Sequence, residues 1–243
     1  MSSMSLELAE MPADWTRALA VVAHPDDMEY GGAAAVARWT SEGKEVAYLL
    51  ASRGEAGIDS LDPVRSATLR VEEQIASAAV VGVTDVVFLD YPDGVIEYGL
   101  PLRRDIALAI RRFRPEMVLM INHHETFGWG NLNMADHRNV GWSTLDAIRD
   151  AANRWVFDGD SEPGPWSGVR WAAVGGSPQA THALDITDTI DRGIASLQEH
   201  AAYLEALGDH PMADADAFLR GMAEMTGARF GDRLSTAFEL IEF

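Results

Sequence analysis

An open, doubly wound α/β sheet of Rossmann-like type is the fold this sequence predicts, and three observations predict it. Apolar, β-branched runs of strand length recur along the chain, amphipathic stretches of helical length lie between them, and the two alternate in a regular order. Alternating βα units lay their strands side by side, so a single, mostly parallel sheet with helices on both faces is expected.

The elements follow in order. Leu19 to Ala23 reads as a buried strand, Gly32 to Ser41 as a helix ended near Gly43, and Glu45 to Ala51 as a second strand. The turn made by Pro25 disfavours helix at His24, so the first helix is expected to begin near Gly31. Pro63 to Val81 is a helix with Pro63 near its start, where a missing N–H is not needed. Val86 to Leu89 is the third strand, Leu102 to Phe113 a helix stopped before Pro115, and Met117 to Ile121 the fourth strand. His137 to Ala152 is helical, and Trp171 to Val174 and Ala183 to Ile186 are further strands. Thr187 to Leu207 makes a long helix with Thr187 or Asp188 near its N-cap. The stretch from Asp158 to Gly168, rich in Gly, Pro, Asp and Ser, is the expected surface loop. Residues after Gly208 show no decisive pattern. The 243 residues are read as one domain, with a core over about 17–207 and a C-terminal extension over 208–243.

Composition narrows the chemistry. There is no cysteine, so any metal must be held by His, Asp or Glu, and a cysteine nucleophile is excluded. The 38 acidic against 19 basic side chains give a formal charge of −19, which repels nucleic-acid phosphates and anionic lipid surfaces. Met1 to Asp14 carries neither a basic nor an apolar signal region, and no apolar stretch approaches the roughly 18 residues of a membrane span. The expectation is a cytoplasmic protein that meets a small molecule, with no nucleic-acid or membrane partner; a homo-oligomer is compatible with the sequence.

In open α/β sheets ligands bind beyond the carboxyl ends of the strands. Directly after the first strand stands Ala23-His24-Pro25-Asp26-Asp27-Met28-Glu29-Tyr30-Gly31-Gly32. One imidazole and two carboxylates within four positions can supply two metal ligands and a separate base, although Asp26 and Asp27 would also suit as caps of the next helix. A second cluster follows the fourth strand: Asn122-His123-His124-Glu125, then Gly128 to Asn133 and Met134-Ala135-Asp136-His137-Arg138. Three of the seven histidines stand in this one stretch. His137, opening a helix behind Asp136, is the natural third ligand.

These stretches together resemble the PIG-L/LmbE-like N-acetylglucosaminyl deacetylases. The likeness rests on Ala-His-Pro-Asp-Asp-Xaa-Glu after the first strand, Ser52-Arg53-Gly54-Glu55-Ala56-Gly57 after the second, Leu89-Asp90-Tyr91-Pro92-Asp93-Gly94 after the third and Asp136-His137-Arg138 after the fourth. It runs from about Ala18 to Leu207, and Ala237-Phe238-Glu239 is loosely similar to the family's ending. The resemblance implies that His24, Asp27 and His137 bind a catalytic zinc, or ferrous iron in the cell, and that Asp26 is the general base. It implies an amino-sugar conjugate as the substrate, with Arg53 at a position that contacts substrate or acetate. Read from the residues, the Arg53 fork suits a carboxylate product, and the lesser reading is an ordinary surface arginine paired with Glu55. Asp93 could accept sugar hydroxyls or be a plain turn residue, and Trp129 and Tyr91 could stack on a pyranose or pack locally. Asp136, His123 and His124 are candidate supporting residues. His200 either faces the site or lies on a solvated helix face.

One position departs from the family. Where the resemblance places an oxyanion-stabilising histidine, three residues before the metal-binding one, this chain has Met134, which cannot donate a hydrogen bond. Losing such a donor costs on the order of 10²–10³ in rate. Either the metal carries that load, or His123, His124 or His182 reaches in, or the enzyme is slow. Two alternatives stand beside the deacetylase: a metal-bearing sugar-binding protein of weak activity, and a non-haem iron oxygenase using two histidines and a carboxylate.

Overall fold

Arg17–Val22 is six residues of nearly unbroken apolar character, and a strand of that kind is stable only if both of its faces are covered. In the computed structural model, which describes residues 7–159 and 163–243, it lies inside an eight-stranded sheet. The chain runs through β1 (Ala9–Glu10), β2 (Arg17–Val22), α1 (Asp27–Gly31), α2 (Ala33–Ser41), β3 (Glu45–Leu50), α3 (Pro63–Val80), β4 (Asp85–Phe88) and α4 (Leu100–Phe113). It continues through β5 (Met117–Ile121), α5 (Ala135–Ala152), β6 (Trp171–Gly175), β7 (His182–Asp185), α6 (Ile190–Gln198), α7 (Ala201–Ala206), α8 (Ala215–Gly227) and β8 (Ser235–Glu242).

The sheet order is β1-β7-β8-β6-β5-β2-β3-β4, parallel throughout except that β8 pairs antiparallel with both β6 and β7. Alternate residues of each strand enter two cores. Ala18, Ala20, Val22, Val46, Tyr48, Leu50 and Leu119 face one, and Leu19, Val21, Ala47, Leu49, Val118 and Val174 face the other. Residues of α2, α6 and α8 complete the first core, and those of α4 and α5 the second, so helices lie on both faces as expected. No helix among the described residues is long and apolar enough to cross a membrane.

The order reverses at β2: the chain moves outward to β3 and β4, then returns to place β5 on the other side of β2. The loops after β2 and β5 therefore flank one crevice at the carboxyl edge, where side chains from two distant stretches can meet.

Several boundaries differ from expectation. The first helix does not begin near Gly31. Asp26 takes a left-handed backbone (φ 85°), one turn of helix starts at Asp27, and Gly32 separates it from α2. The long helix expected over Thr187–Leu207 starts only at Ile190, because the Asp185 carboxylate accepts from the Thr187 amide in a preceding turn. It then breaks at Glu199 and His200, where the His200 side chain is fully buried. The segment after Gly208 supplies α8 and β8, and β8 fills the place between β6 and β7. Of the loop expected from Asp158 to Gly168, residues 160–162 lie outside the described residues.

Candidate active site

His24, Asp27 and His137 meet in the crevice, with candidate ligand atoms all within 4.8 Å of one another and all three residues buried. The backbone shapes this. Asp27 Oδ2 accepts from the amides of Ala23 (2.9 Å) and His24 (2.8 Å), closing the turn after β2 and fixing the carboxylate. Its other oxygen, Oδ1, lies 3.1 Å from His137 Nε2, while His24 Nδ1 lies 3.7 Å from Oδ2.

The tautomers follow from the surrounding network. Asn133 Nδ2 donates to the carbonyls of Asn122 (2.7 Å) and His124 (3.0 Å), so its Oδ1 must be the acceptor facing the other way. That oxygen accepts from the Met134 amide (2.8 Å) and from His137 Nδ1 (3.0 Å). With a proton on Nδ1 held by Asn133, Nε2 is the ring nitrogen that faces Asp27. That atom is buried and lies in ion-pair range of Asp27 Oδ1, at 3.1 Å.

His24 is held from its far side. Its Nε2 lies 3.0 Å from Asp93 Oδ1 and 3.1 Å from Asp136 Oδ2, and two carboxylates require a proton there. The other ring nitrogen, Nδ1, then faces Asp27 and is the atom a metal would take. A carboxylate behind a histidine is the usual support of a metal ligand, fixing tautomer and ring orientation. Asp136 also accepts from the amides of Gly94 (2.7 Å) and Ile96 (3.0 Å), so one carboxylate ties the loop after β4 to α5 and to His24.

Burial and charge set the ionisation. Burial, aided by neighbouring Asp27 and opposed by Arg70, raises the Asp26 carboxyl to about 6. Burial also acts to raise Asp27, but His137 and His24 more than reverse it and hold that carboxyl well below its ordinary range. For His24, burial acts to lower the value, yet Asp136, Asp27 and Asp93 together raise it well above the ordinary one.

Asp26 stands behind a second set of residues that sequence reasoning missed. Arg70 of α3 donates to Asp26 Oδ2 (2.7 Å) and to the Pro25 carbonyl (2.6 Å). Gln74, one turn later, accepts from the Asp26 amide (3.0 Å) and donates to Glu29 Oε1 (2.9 Å). These bonds hold the left-handed turn at Asp26, a conformation costly for a non-glycine residue. The loop after β3 makes room: a Cβ on Gly57 would overlap the Arg70 guanidinium, and Gly54 has φ 67°. Behind them Glu29 and His200 are buried, with Glu29 Oε2 3.7 Å from His200 Nε2. His200 therefore lies on no solvated face.

The other expected site residues are placed differently. Arg53 pairs with exposed Asp90 (3.0 Å) rather than Glu55, and lines an open cavity of about 410 Å³ with Pro63, Thr68 and Tyr91. Asp93 is engaged by His24 and by the Ala56 amide (2.9 Å). The His123 ring packs edge-on to Trp142, and His124 bonds Glu239 (2.7 Å). His182 opens β7, across β8, β6 and β5 from β2. Met134 sits at the N-cap of α5 and is half exposed. Trp129 is exposed and stacks on Phe127, while the Tyr91 hydroxyl donates to Asp105 (2.8 Å).

The profile of the family described as PIG-L, GlcNAc-PI de-N-acetylase, matches residues 19–148, more than half of the chain. The chain belongs to the PIG-L family. A diacetylchitobiose deacetylase of Thermococcus kodakarensis is 29% identical over 150 residues, covering 61% of this chain and 55% of that one. A 1D-myo-inositol 2-acetamido-2-deoxy-alpha-D-glucopyranoside deacetylase of Kineococcus radiotolerans is 30% identical, covering 69% of this chain and 52% of that one. The matched part thus spans about half the length of these relatives. Among solved structures, N,N'-diacetylchitobiose deacetylase from Pyrococcus horikoshii superposes with a TM-score of 0.84 at 22% identity, covering 94% of this chain and 85% of that one. At that identity the superposition speaks for the fold. The PIG-L match ends within α5, at residue 148, so it takes in His24, Asp26, Asp27, Arg70, Asp93, Asp136 and His137.

Proposed function

We propose that this PIG-L protein is a metal-dependent N-deacetylase that hydrolyses the acetamide of an N-acetylglucosamine-type conjugate. One observation carries the reading: His24, Asp27 and His137 converge in the buried crevice with candidate ligand atoms within 4.8 Å of one another, His137 turning Nε2 toward Asp27 while Asn133 holds its other ring nitrogen. Two imidazoles and a carboxylate buried this close together are satisfied at once by a shared cation. Two histidines and one carboxylate are a donor set suited to zinc, and also to ferrous iron, with a coordination position left for water. A cation bound there supplies Lewis acidity toward water and toward an amide carbonyl.

The chain's own residues do the rest. Asp26 is beside the ligands without being one, and Arg70 occupies its Oδ2. Asp26 is ionised above about pH 6, so near neutrality it can accept a proton from the attacking water. Water oxygen bonds to the carbonyl carbon, the C–N bond breaks, and Asp26 returns its proton to the departing nitrogen, giving acetate and a free amine. Asp93 and Asp136 keep the His24 ring oriented throughout. The matching relatives are named as deacetylases of N-acetylglucosamine-containing compounds, which supports the same bond as the target.

The test is acetate release, followed by proton NMR, from N-acetylglucosamine, its β-methyl glycoside and diacetylchitobiose with zinc-loaded and with iron-loaded protein. Acetate in proportion to free amine is expected from at least one of them. A protein that binds metal stoichiometrically and releases no acetate from any would overturn the reading.

A further inference from the structure

His124 and Glu239 stand 115 positions apart, in the loop after β5 and in strand β8, and their side chains meet at 2.7 Å. Glu239 pairs with Val174 of β6 in the sheet. Because neighbouring Phe238 turns into the first core, Glu239 turns to the face that α5 covers. Its Oε2 also accepts from Ser177 Oγ at 2.6 Å, so a donor from the loop after β6 holds the carboxylate in place. A carboxylate only accepts, which puts a proton on His124 Nε2 and fixes that ring. Ser177 and Glu239 lie beyond residue 148, outside the stretch that matches the PIG-L family.

The His124 backbone leads from there to the metal-ligand candidates. Its amide donates to Asn122 Oδ1 at 3.0 Å, and its carbonyl accepts from Asn133 Nδ2 at 3.0 Å. Asn133 Nδ2 donates as well to the carbonyl of Asn122, at the end of β5, and Asn133 Oδ1 accepts from His137 Nδ1. One of the two carbonyls that orient Asn133 is therefore set by the sheet, and the other by where His124 is held. Of residues 125–132, which complete the loop, only Phe127 is partly buried and the rest are exposed. Apolar packing holds little of this loop, so the polar bonds at its root decide where the His124 carbonyl points.

We propose that Glu239 is a positioning residue for His137, acting through His124 and Asn133. The proposal rests on the metal-dependent reading and deepens it: the last strand of the sheet, which the family match does not reach, takes part in holding a metal ligand. Ser177 serves the same end by fixing the Glu239 carboxylate.

The experiment measures zinc affinity by competition with a chromophoric chelator, with circular dichroism to confirm that each variant is folded at the temperature used. Glu239→Ala should weaken zinc binding about threefold to tenfold, less than the roughly 10–100-fold that follows when a partner touching a metal ligand is removed. His124→Phe keeps a ring against His123 and loses the Nε2 donor, so it should do the same, and it reads the same bond if Glu239→Ala does not fold. Glu239→Gln, whose amide oxygen still accepts from His124, should stay close to the parent. In an Asn133→Ala background Glu239→Ala should cost nothing further, because the two substitutions break one route. Parent-like affinity in both Glu239→Ala and His124→Phe would overturn the proposal. So would a Glu239→Ala loss of the same size with and without Asn133, or a Glu239→Gln loss equal to that of Glu239→Ala. Those outcomes leave zinc binding by the parent intact, and with it the metal-dependent reading; a parent that takes up no zinc would strike that reading itself.

Discussion

Asn133 Oδ1 accepts a hydrogen bond from His137 Nδ1 at 3.0 Å, and that one bond turns the other ring nitrogen, Nε2, toward Asp27. Asn133 can do so because its own amide is locked by two loop carbonyls, those of Asn122 and His124. Replacing it with alanine frees the imidazole to rotate and to change tautomer. Metal affinity is expected to fall about 10–100-fold, as for other partners that orient a metal ligand. Competition with a chromophoric chelator measures it, and an unchanged affinity would show that His137 is oriented by something else.

Asp26, the proposed base, and the proposed metal ligands should separate cleanly by mutation. If Asp26 is the proton acceptor and not a ligand, Asp26→Asn should drop kcat by about 10²–10⁴ with metal stoichiometry unchanged. Asp27→Asn should instead abolish the rise in melting temperature that zinc gives the parent protein, a rise expected because a ligand that binds only the folded state stabilises it. Differential scanning calorimetry with and without zinc reads the second variant, and steady-state assays the first.

The Arg70–Asp26 pair is buried on both sides, at 3% and 9% side-chain exposure. Removing one partner of such a pair leaves the other charge without compensation, so Arg70→Met should cost about 3 kcal/mol in urea denaturation. Asp26→Asn, which keeps a polar acceptor for Arg70, should cost less. Equal losses for the two variants would argue that Arg70 acts by packing on Tyr203, 4.3 Å below its guanidinium, instead of through Asp26.

Met134 offers a gain-of-function test. It occupies the position where the family resemblance places an oxyanion-stabilising histidine, and it is half exposed at the start of α5, so an imidazole of similar size is accommodated there. If a donor is missing, Met134→His should raise kcat about tenfold or more while KM moves little. An unchanged kcat would mean that the oxyanion is already served by other groups.

Acid stability should depend on His123. Burial, with a smaller push from neighbouring His124, lowers its imidazole to about 4, against about 6.5 for a free side chain. Between those two values the unfolded chain binds a proton that the folded chain does not. Its contribution to stability is therefore complete above about pH 6.5, declines as the pH falls toward 4, and is constant below that. The urea midpoint of a His123→Phe variant should accordingly fall less than the parent's between pH 7 and pH 5.

Much of this architecture was legible in the sequence for a simple reason. Strands β2, β3 and β5 are covered on both faces, so their apolar runs are continuous and unmistakable. Strand β8 escaped because only Ser235 and Phe238 of its eight residues are buried, and its place is set by pairing with β6 and β7. The helix break at His200 escaped because the pattern on either side is helical and only a tertiary contact, with Glu29, draws that side chain inward.

The site divides in the same way. His24, Asp26, Asp27, Asp136 and His137 stand in two short stretches directly after strands, where the topology directs attention. Arg70 and Gln74 lie more than forty residues from Asp26 in the chain, inside a helix. Their signal was present but indirect. Ser66, Arg70, Glu73, Gln74 and Ser77 form a polar stripe at helical spacing on the buried face of α3, where an ordinary amphipathic helix would be apolar. Asp93 was recognisable as a site residue, yet whether it faces sugar or His24 depends on how the loop after β4 folds back onto Asp136.

Metal-dependent acetamide hydrolysis is the central claim, and one measurement bears on it most directly. Free amine and acetate are quantified from the β-methyl glycoside of N-acetylglucosamine, using protein stripped of metal, the same protein restored with zinc, and zinc-loaded Asp26→Asn. Equal amounts of amine and acetate from the restored protein, with little from the stripped protein and from the variant, are the predicted result. Hydrolysis that persists in full after metal removal, or in the Asp26→Asn variant, would contradict it.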